Sequence, residues 1–264
     1  MSKNFFDLTG KTIVLTGAAG RLGKEYANTL SQFGANVILA DLDYATSQQI
    51  VKSLKQKFKT EPFAVKVNLS DQKSVKKMTS QIMKKYSHID VLINNAMFPE
   101  NPKDRITPFE KYSLSSWNNA IGVNLTGILF CCQEICPVMA KQKHGNIINI
   151  SSIYGMVGSD QRIYGNSKLN SSPVYAVTKG AILNFTRYLA SYWHKYGIRA
   201  NSLSLGGVKD NQDKQFIKNY SNKTMIGRMA KKDDYNGAMI FLSSDASSYM
   251  TGSNLIIDGG WTAW

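Results

Sequence analysis

Residues 11–23 read KTIVLTGAAGRLG, and the order of residue types in them decides the fold. Thr12, Ile13, Val14 and Leu15 form a short β-branched and apolar run that reads as a buried strand. Gly17, Gly20 and Gly23 follow at once, and apolar positions then recur at Leu22, Ala27, Leu30 and Phe33 with helical spacing. A strand that turns through glycines into a helix lets the backbone approach a pyrophosphate, which meets the helix N-terminus. The alternative is a tight strand-to-helix turn that binds nothing.

Outward from this unit the pattern repeats. NVILAD, FAVKVNL, DVLINNA, NIINISS, IRANSLSL and NLIIDGG are further strand-like runs. Most are continuously apolar rather than alternating, as in parallel strands covered on both faces. Longer helical patterns separate them. The rhythm predicts an α/β fold: a doubly wound parallel sheet of about seven strands with helices on both faces, in one domain over residues 1–264. Loop-like composition interrupts it at 98–116, 159–173, 206–224 and in the tail after Gly259. The first three follow strand C-terminal ends, where open α/β sheets bind ligands.

Composition sets the outer limits. The chain has 264 residues, 43% of them hydrophobic, enough for one large core. No run of 18 apolar residues occurs and the N-terminal stretch lacks a signal-like apolar segment, so a cytoplasmic protein without membrane contact is expected. Cys131, Cys132 and Cys136 share one apolar helical stretch; helix packing is the expectation and a metal clip the alternative. The net charge of +14 comes from scattered lysines without a nucleic-acid motif. A basic surface and a small-molecule partner, not nucleic acid, are expected; the charge would also attract a phosphorylated substrate.

Asp41 ends the second strand run, eighteen residues after Gly23. A carboxylate there accepts hydrogen bonds from the adenosine ribose and repels a 2′-phosphate, which favours NAD over NADP. Arg21 argues the other way, because a guanidinium in the glycine loop could meet a 2′-phosphate. It could equally pair with Asp41 or Asp43, or face solvent.

Two tyrosine–lysine pairs stand close together in YGNSKLNSSPVYAVTK: Tyr164 with Lys168, and Tyr175 with Lys179. Side chains four apart share a helix face. The second pair opens a long helical pattern, with apolar Val177, Ala181, Ile182, Phe185, Tyr188 and Leu189 and a closing Gly197. The first pair is interrupted by Gly165 and Asn166 and stopped by Pro173. The helix argument selects Tyr175 and Lys179. A neighbouring ammonium and a cationic nicotinamide both favour the phenolate, so the Tyr175 pKa is expected below its usual 10.

These features resemble the short-chain dehydrogenase/reductase family over nearly the whole chain. TGAAGRLG is similar to the family's TGxxxGxG, with Arg21 in the middle-glycine place; NNAM is similar to NNAG; VNLSD to the adenine-binding segment. SLSLGG carries Leu205 in place of the usual proline. The resemblance implies an oxidoreductase acting on CH–OH groups, with hydride passing between a nicotinamide and a secondary alcohol or ketone. It implies catalytic roles for Asn124, Ser152, Tyr175 and Lys179: Ser152 on the substrate oxygen, Tyr175 as acid–base, Lys179 also on the nicotinamide ribose, and Asn124 holding a water. It places the cofactor on Gly17, Ala19, Gly20, Arg21, Leu22 and Gly23, on Asp41, Asn68 and Leu69, on Asn95 and Ala96, and on Gly206 and Val208 with Tyr175 and Lys179. Ser152, Tyr154, Tyr164, Tyr175 and Gly207 are expected beside the substrate. The family also implies a homotetramer, formed through residues 117–141, 175–196 and 254–258.

Tyr175 lies twenty-three residues after Ser152, which requires an inserted loop of about ten residues relative to much of the family. That loop and the GWTAW ending resemble a bacterial subgroup assigned to flagellin or surface-glycan modification. Polar residues in the loop and in KDNQDKQ suit a sugar or sugar phosphate. A 3-oxoacyl or other hydrophobic ketone is the enzymatic alternative. A cofactor-binding regulator without turnover is the alternative of another class.

Overall fold

The computed structural model describes residues 4–264; the first three residues of the N-terminal stretch read above lie outside them. Seven strands form one parallel sheet in the order β3-β2-β1-β4-β5-β6-β7. They are β1 (Thr12–Thr16), β2 (Asn36–Asp41), β3 (Phe63–Lys66), β4 (Val91–Asn94), β5 (Gly145–Ser152), β6 (Ile198–Leu205) and β7 (Asn254–Ile257). All seven coincide with the apolar runs read from the sequence. Helices α1 (Arg21–Gln32), α2 (Tyr44–Lys57) and α3 (Gln72–Tyr86) cross between the early strands. Then come α4 (Leu114–Ile121), α5 (Gly127–Gln142), α6 (Pro173–Trp193), α7 (Lys214–Ser221) and α8 (Asn236–Ser243).

Strand residues alternate between two cores. Val14 packs in one with Ile82, Cys131 and Met139. Ile13 and Leu15 pack in the other with Tyr26, Leu30 and Met239. All three cysteines are free and buried in the first core, as the packing reading expected. The continuous helical run Leu114–Gln142 is long and apolar enough by composition to cross a membrane, which the search for unbroken apolar runs did not register. Here it packs against the sheet and α3, burying Ile128, Ile135 and Met139.

Register aligns the carboxyl ends. Thr16 pairs with Ala40, Leu15 with Ile93 and Ser152 with Leu205. Gly17, Asp41, Asn95, Ser152 and Gly206 therefore emerge along one edge. The strand order reverses between β1 and β4, the place where such sheets bind ligands.

Two segments differ from the sequence reading. Residues 206–224 contain α7, whose polar start conceals its apolar Phe216 and Tyr220; Asp213 caps it by accepting from Phe216 N–H at 2.8 Å. Between α4 and α5 the helix widens into a π turn, Gly122–Thr126, which carries Asn124. Such bulges re-aim side chains within an otherwise regular helix.

Candidate active site

The glycine loop is held by close packing. Gly17 adopts φ +65°, and a Cβ there would lie 2.6 Å from the Ala96 Cα. A Cβ on Gly23 would lie 2.2 Å from the Gly17 carbonyl oxygen. Gly20 is less confined, its nearest neighbour being the Gly17 carbonyl at 3.2 Å. The loop thus keeps glycine where backbone meets backbone and admits Arg21 as the first residue of α1. Asn95 braces the turn, its side-chain amide donating to Thr16 and Gly17 carbonyls at 3.0 and 3.1 Å. Helix α1 starts at Gly20 without a side-chain cap, so its N-terminus is presented to the cleft.

At the end of β2, Asp41 is tied to that loop. Its carboxylate accepts from Ala19 N–H at 2.8 Å and from Asp43 N–H at 2.9 Å. Asp43 caps α2 by accepting from Thr46 N–H at 3.0 Å. Neither acid takes Arg21. The guanidinium reaches instead to Asp210, in the loop after β6, at 2.7 Å. That partner was absent from the alternatives weighed for Arg21.

A cleft of about 950 Å³ runs along this edge. Gly17, Ala19, Gly20, Arg21, Leu22 and Gly23 line it, with Asp41, Asn68, Leu69, Asn95 and Ala96. Tyr175, Lys179, Gly206, Gly207 and Val208 close its far end. Every residue expected to hold the cofactor therefore faces one cavity, together with Met97, Phe98 and Pro99, whose apolar chemistry gave no signal in the sequence. The fit to a dinucleotide is good: an uncapped helix N-terminus for the pyrophosphate, a carboxylate for the ribose, and a large, partly apolar cavity.

Pro173 occupies the first turn of α6, where its missing N–H costs nothing, and Tyr175 follows two residues on. A buried polar chain fixes this helix to the sheet. Asn94 donates to Asn149 at 2.8 Å, and Asn149 to the Thr186 hydroxyl at 2.9 Å. The Ser151 hydroxyl donates to the Lys179 carbonyl at 2.8 Å, and Gly155 lets the following turn press against that carbonyl. Ser152 is thereby brought near Tyr175; its hydroxyl accepts from Tyr154 N–H at 3.3 Å and favours the Tyr175 phenolate. Tyr154 meets the Tyr175 ring edge-on at 6.4 Å between centroids, and its buried hydroxyl has no partner among the described residues.

In the protein alone, burial sets the direction in which the phenol moves. Burial raises the Tyr175 pKa above its usual value, opposed by the Ser152 hydrogen bond, with Glu100 and Tyr164 adding to the rise. Burial lowers Lys179 to about 8. Its ammonium donates to the Ile150 carbonyl at 2.8 Å and lies 5.8 Å from the Tyr175 ring centroid. Low polarity at the cleft end is the first cause of both shifts. Asn124 is buried, and its side-chain oxygen accepts from Phe98 N–H at 2.7 Å.

Tyr164, expected beside the substrate, is packed within the inserted loop. It ends a short 3₁₀ turn, Gln161–Tyr164, and Lys168 has φ +60°, so no helix joins that pair. The Tyr164 ring is buried with Ile163, Tyr220, Met229 and Trp261, 5.3 Å from Phe216. Like Ser152, Tyr154 and Asn124, it is not among the residues that line the dinucleotide cleft. Near it stand residues that sequence reasoning missed. Glu100 accepts a short hydrogen bond from Ser172, the N-cap of α6, and Arg105 lies 3.9 Å from Glu100. Both fall in the loop 98–116, but residue type alone gave no sign of their neighbours.

Comparison with known proteins agrees with this geometry. Residues 17–262 match the family model described as enoyl-(acyl carrier protein) reductase. The chain is 31% identical over 254 residues to post-translational flagellin modification protein A of Campylobacter coli, covering 96% of this chain and 99% of that one. Among solved structures, a short-chain dehydrogenase of Leptospira borgpetersenii with bound NAD+ is 34% identical, with TM-score 0.85 over 99% of this chain and 97% of that one. A gluconate 5-dehydrogenase of Burkholderia cenocepacia, in complex with NADP and tartrate, is 26% identical, with TM-score 0.88 over 98% of both chains. A parallel sheet with this strand order, a glycine loop at its switch point and a model match over nearly the full length lead to one conclusion: the chain belongs to the short-chain dehydrogenase/reductase family and is an oxidoreductase of the kind that acts on CH–OH groups with a nicotinamide dinucleotide.

Proposed function

We propose that the protein uses NAD to interconvert a secondary alcohol and a ketone on a sugar or sugar phosphate, in a surface-glycan or flagellin modification pathway. The observation that carries the reaction is that Tyr175, with Ser152 near it, stands beside the buried Lys179 in the same cleft that begins at the glycine loop and Asp41. A nicotinamide bound there supplies the hydride donor or acceptor. Ser152 holds the substrate oxygen. Tyr175 takes the proton from a carbinol hydroxyl or returns it to a carbonyl. Lys179 supplies the nearby positive charge and holds the ribose, and Asn124 holds a water beside it. The dinucleotide rests on Asp41, which accepts from the ribose hydroxyls.

The sugar reading draws on the flagellin modification relative, on the gluconate neighbour and on the polar inserted loop. A second reading has its own observation: Ile106 and Phe109 in the loop 98–116 and Met225 and Ile226 after α7 are exposed, which suits a 3-oxoacyl or other apolar ketone. One experiment separates them. The enzyme is assayed with NAD(H) against polyols, keto-sugar acids, sugar phosphates and a 3-oxoacyl thioester, and then against a cell metabolite extract. Turnover confined to the thioester would replace the sugar reading. Dinucleotide binding with no turnover on any of these would point to a non-catalytic role.

A further inference from the structure

We propose that Asp210 is a cofactor-selecting residue: it holds Arg21 across the cleft and keeps that guanidinium from the 2′-phosphate of NADP. The inference rests on the NAD reading above and names a second residue that enforces it.

The contact is specific. The Arg21 guanidinium and the Asp210 carboxylate approach to 2.7 Å, each side chain about half exposed, at 41% and 52%. Arg21 is the first residue of α1 and lines the cleft together with Asp41, Leu42 and Asp43, the residues around the expected adenosine ribose. A free guanidinium at that point would be the glycine loop's cation for a phosphate. The two acids at the end of β2 do not restrain it, because Asp41 accepts from Ala19 and Asp43 N–H groups and Asp43 caps α2. The restraint comes from the other wall. Asp210 N–H donates to the Gln212 side chain at 2.6 Å, and Gln212 donates back to the Val208 carbonyl at 2.9 Å. Val208 is paired with Ala230, so the wall is anchored in the fold.

NADH and NADPH affinities are to be measured by nucleotide fluorescence for the unmodified protein, Asp210→Asn, Asp210→Ala, Arg21→Gln and Arg21→Gln with Asp210→Asn. An exposed ion pair is weak, so releasing Arg21 should tighten NADPH by only about two- to fivefold and change NADH by less than about twofold. The gain should disappear in the Arg21→Gln background, because the effect runs through that guanidinium. No NADPH gain in either Asp210 variant overturns the proposal. So does an equal gain with and without Arg21. The NAD reading is judged separately, by the affinity ratio of the unmodified protein.

Discussion

Lys179 and Tyr175 stand one helical turn apart, yet the Lys179 ammonium donates to the Ile150 carbonyl at 2.8 Å and lies 5.8 Å from the Tyr175 ring centroid. The two groups titrate in opposite senses, the phenol upward and the ammonium down to about 8, and both shifts have burial as their first cause. The site thus stores an unfavourable charge that a bound dinucleotide and substrate can use.

That stored charge predicts a pH-dependent stability. Lys179 falls from 10.5 to about 8 on folding, so between these values the unfolded chain holds more protons. Its contribution to stability is present above the unfolded value and is lost as pH falls towards 8. Lys179→Met removes the dependence. Urea unfolding should show the variant's stability relative to the unmodified protein higher at pH 7 than at pH 10, by on the order of 2 kcal/mol. A difference independent of pH would contradict a buried ammonium.

The glycine loop predicts a contrast between neighbours. Gly23→Ala drives a Cβ to 2.2 Å from the Gly17 carbonyl, whereas Gly20→Ala meets the same oxygen at 3.2 Å. Thermal unfolding should register a loss of roughly 1–3 kcal/mol or more for the first and less than about 1 kcal/mol for the second. Equal losses would mean that the loop relaxes freely.

For Asp41 the expectation is tighter NAD(H) than NADP(H) binding, with the gap narrowed by Asp41→Ala. Because Asp41 also accepts from Ala19 N–H, the substitution should weaken NAD(H) as well, by about 1.5–3 kcal/mol for a lost charged hydrogen bond. Fluorescence titration of both nucleotides checks this. Equal or tighter NADP(H) binding by the unmodified protein would make Arg21 the dominant group.

Much of this was readable because its causes are local. β-branched runs gave every strand, and Pro173 with the apolar phase of α6 separated Tyr175 from Tyr164. What the sequence hid depends on distant neighbours. Arg21 finds Asp210 only because β1 and β6 end on one edge of the sheet. Tyr164 is buried because Phe216 and Trp261 fold against it, and polar residues at the start of α7 conceal that helix. The π turn at Asn124 leaves no mark in residue type. The rise of the Tyr175 phenol reflects burial, whereas the sequence shows only the ammonium four residues away.

Assembly has a visible surface. Tyr188 and Tyr192 are exposed on α6 at 59% and 54%, and their rings stack at 5.8 Å. We expect this face to be covered by a second copy in a homotetramer. Light scattering at micromolar concentration should give four times the chain mass of 29.4 kDa. A monomer mass would contradict it, and Tyr188→Glu should shift the assembly towards smaller species.

The central claim is that Tyr175, and not Tyr164, transfers the proton. Tyr175→Phe keeps the ring and removes the proton-transfer oxygen, so kcat should fall by about 10²–10⁴-fold while dinucleotide binding survives. Tyr164→Phe removes a hydroxyl from a ring buried in the loop packing near Arg105, with an expected cost of about 0.5–1.5 kcal/mol in KM or stability and little change in kcat. Steady-state kcat and KM for the two variants, on whichever substrate the metabolite assay identifies, decide the matter. The account predicts that only Tyr175→Phe loses turnover; an active Tyr175→Phe beside an inactive Tyr164→Phe would contradict it.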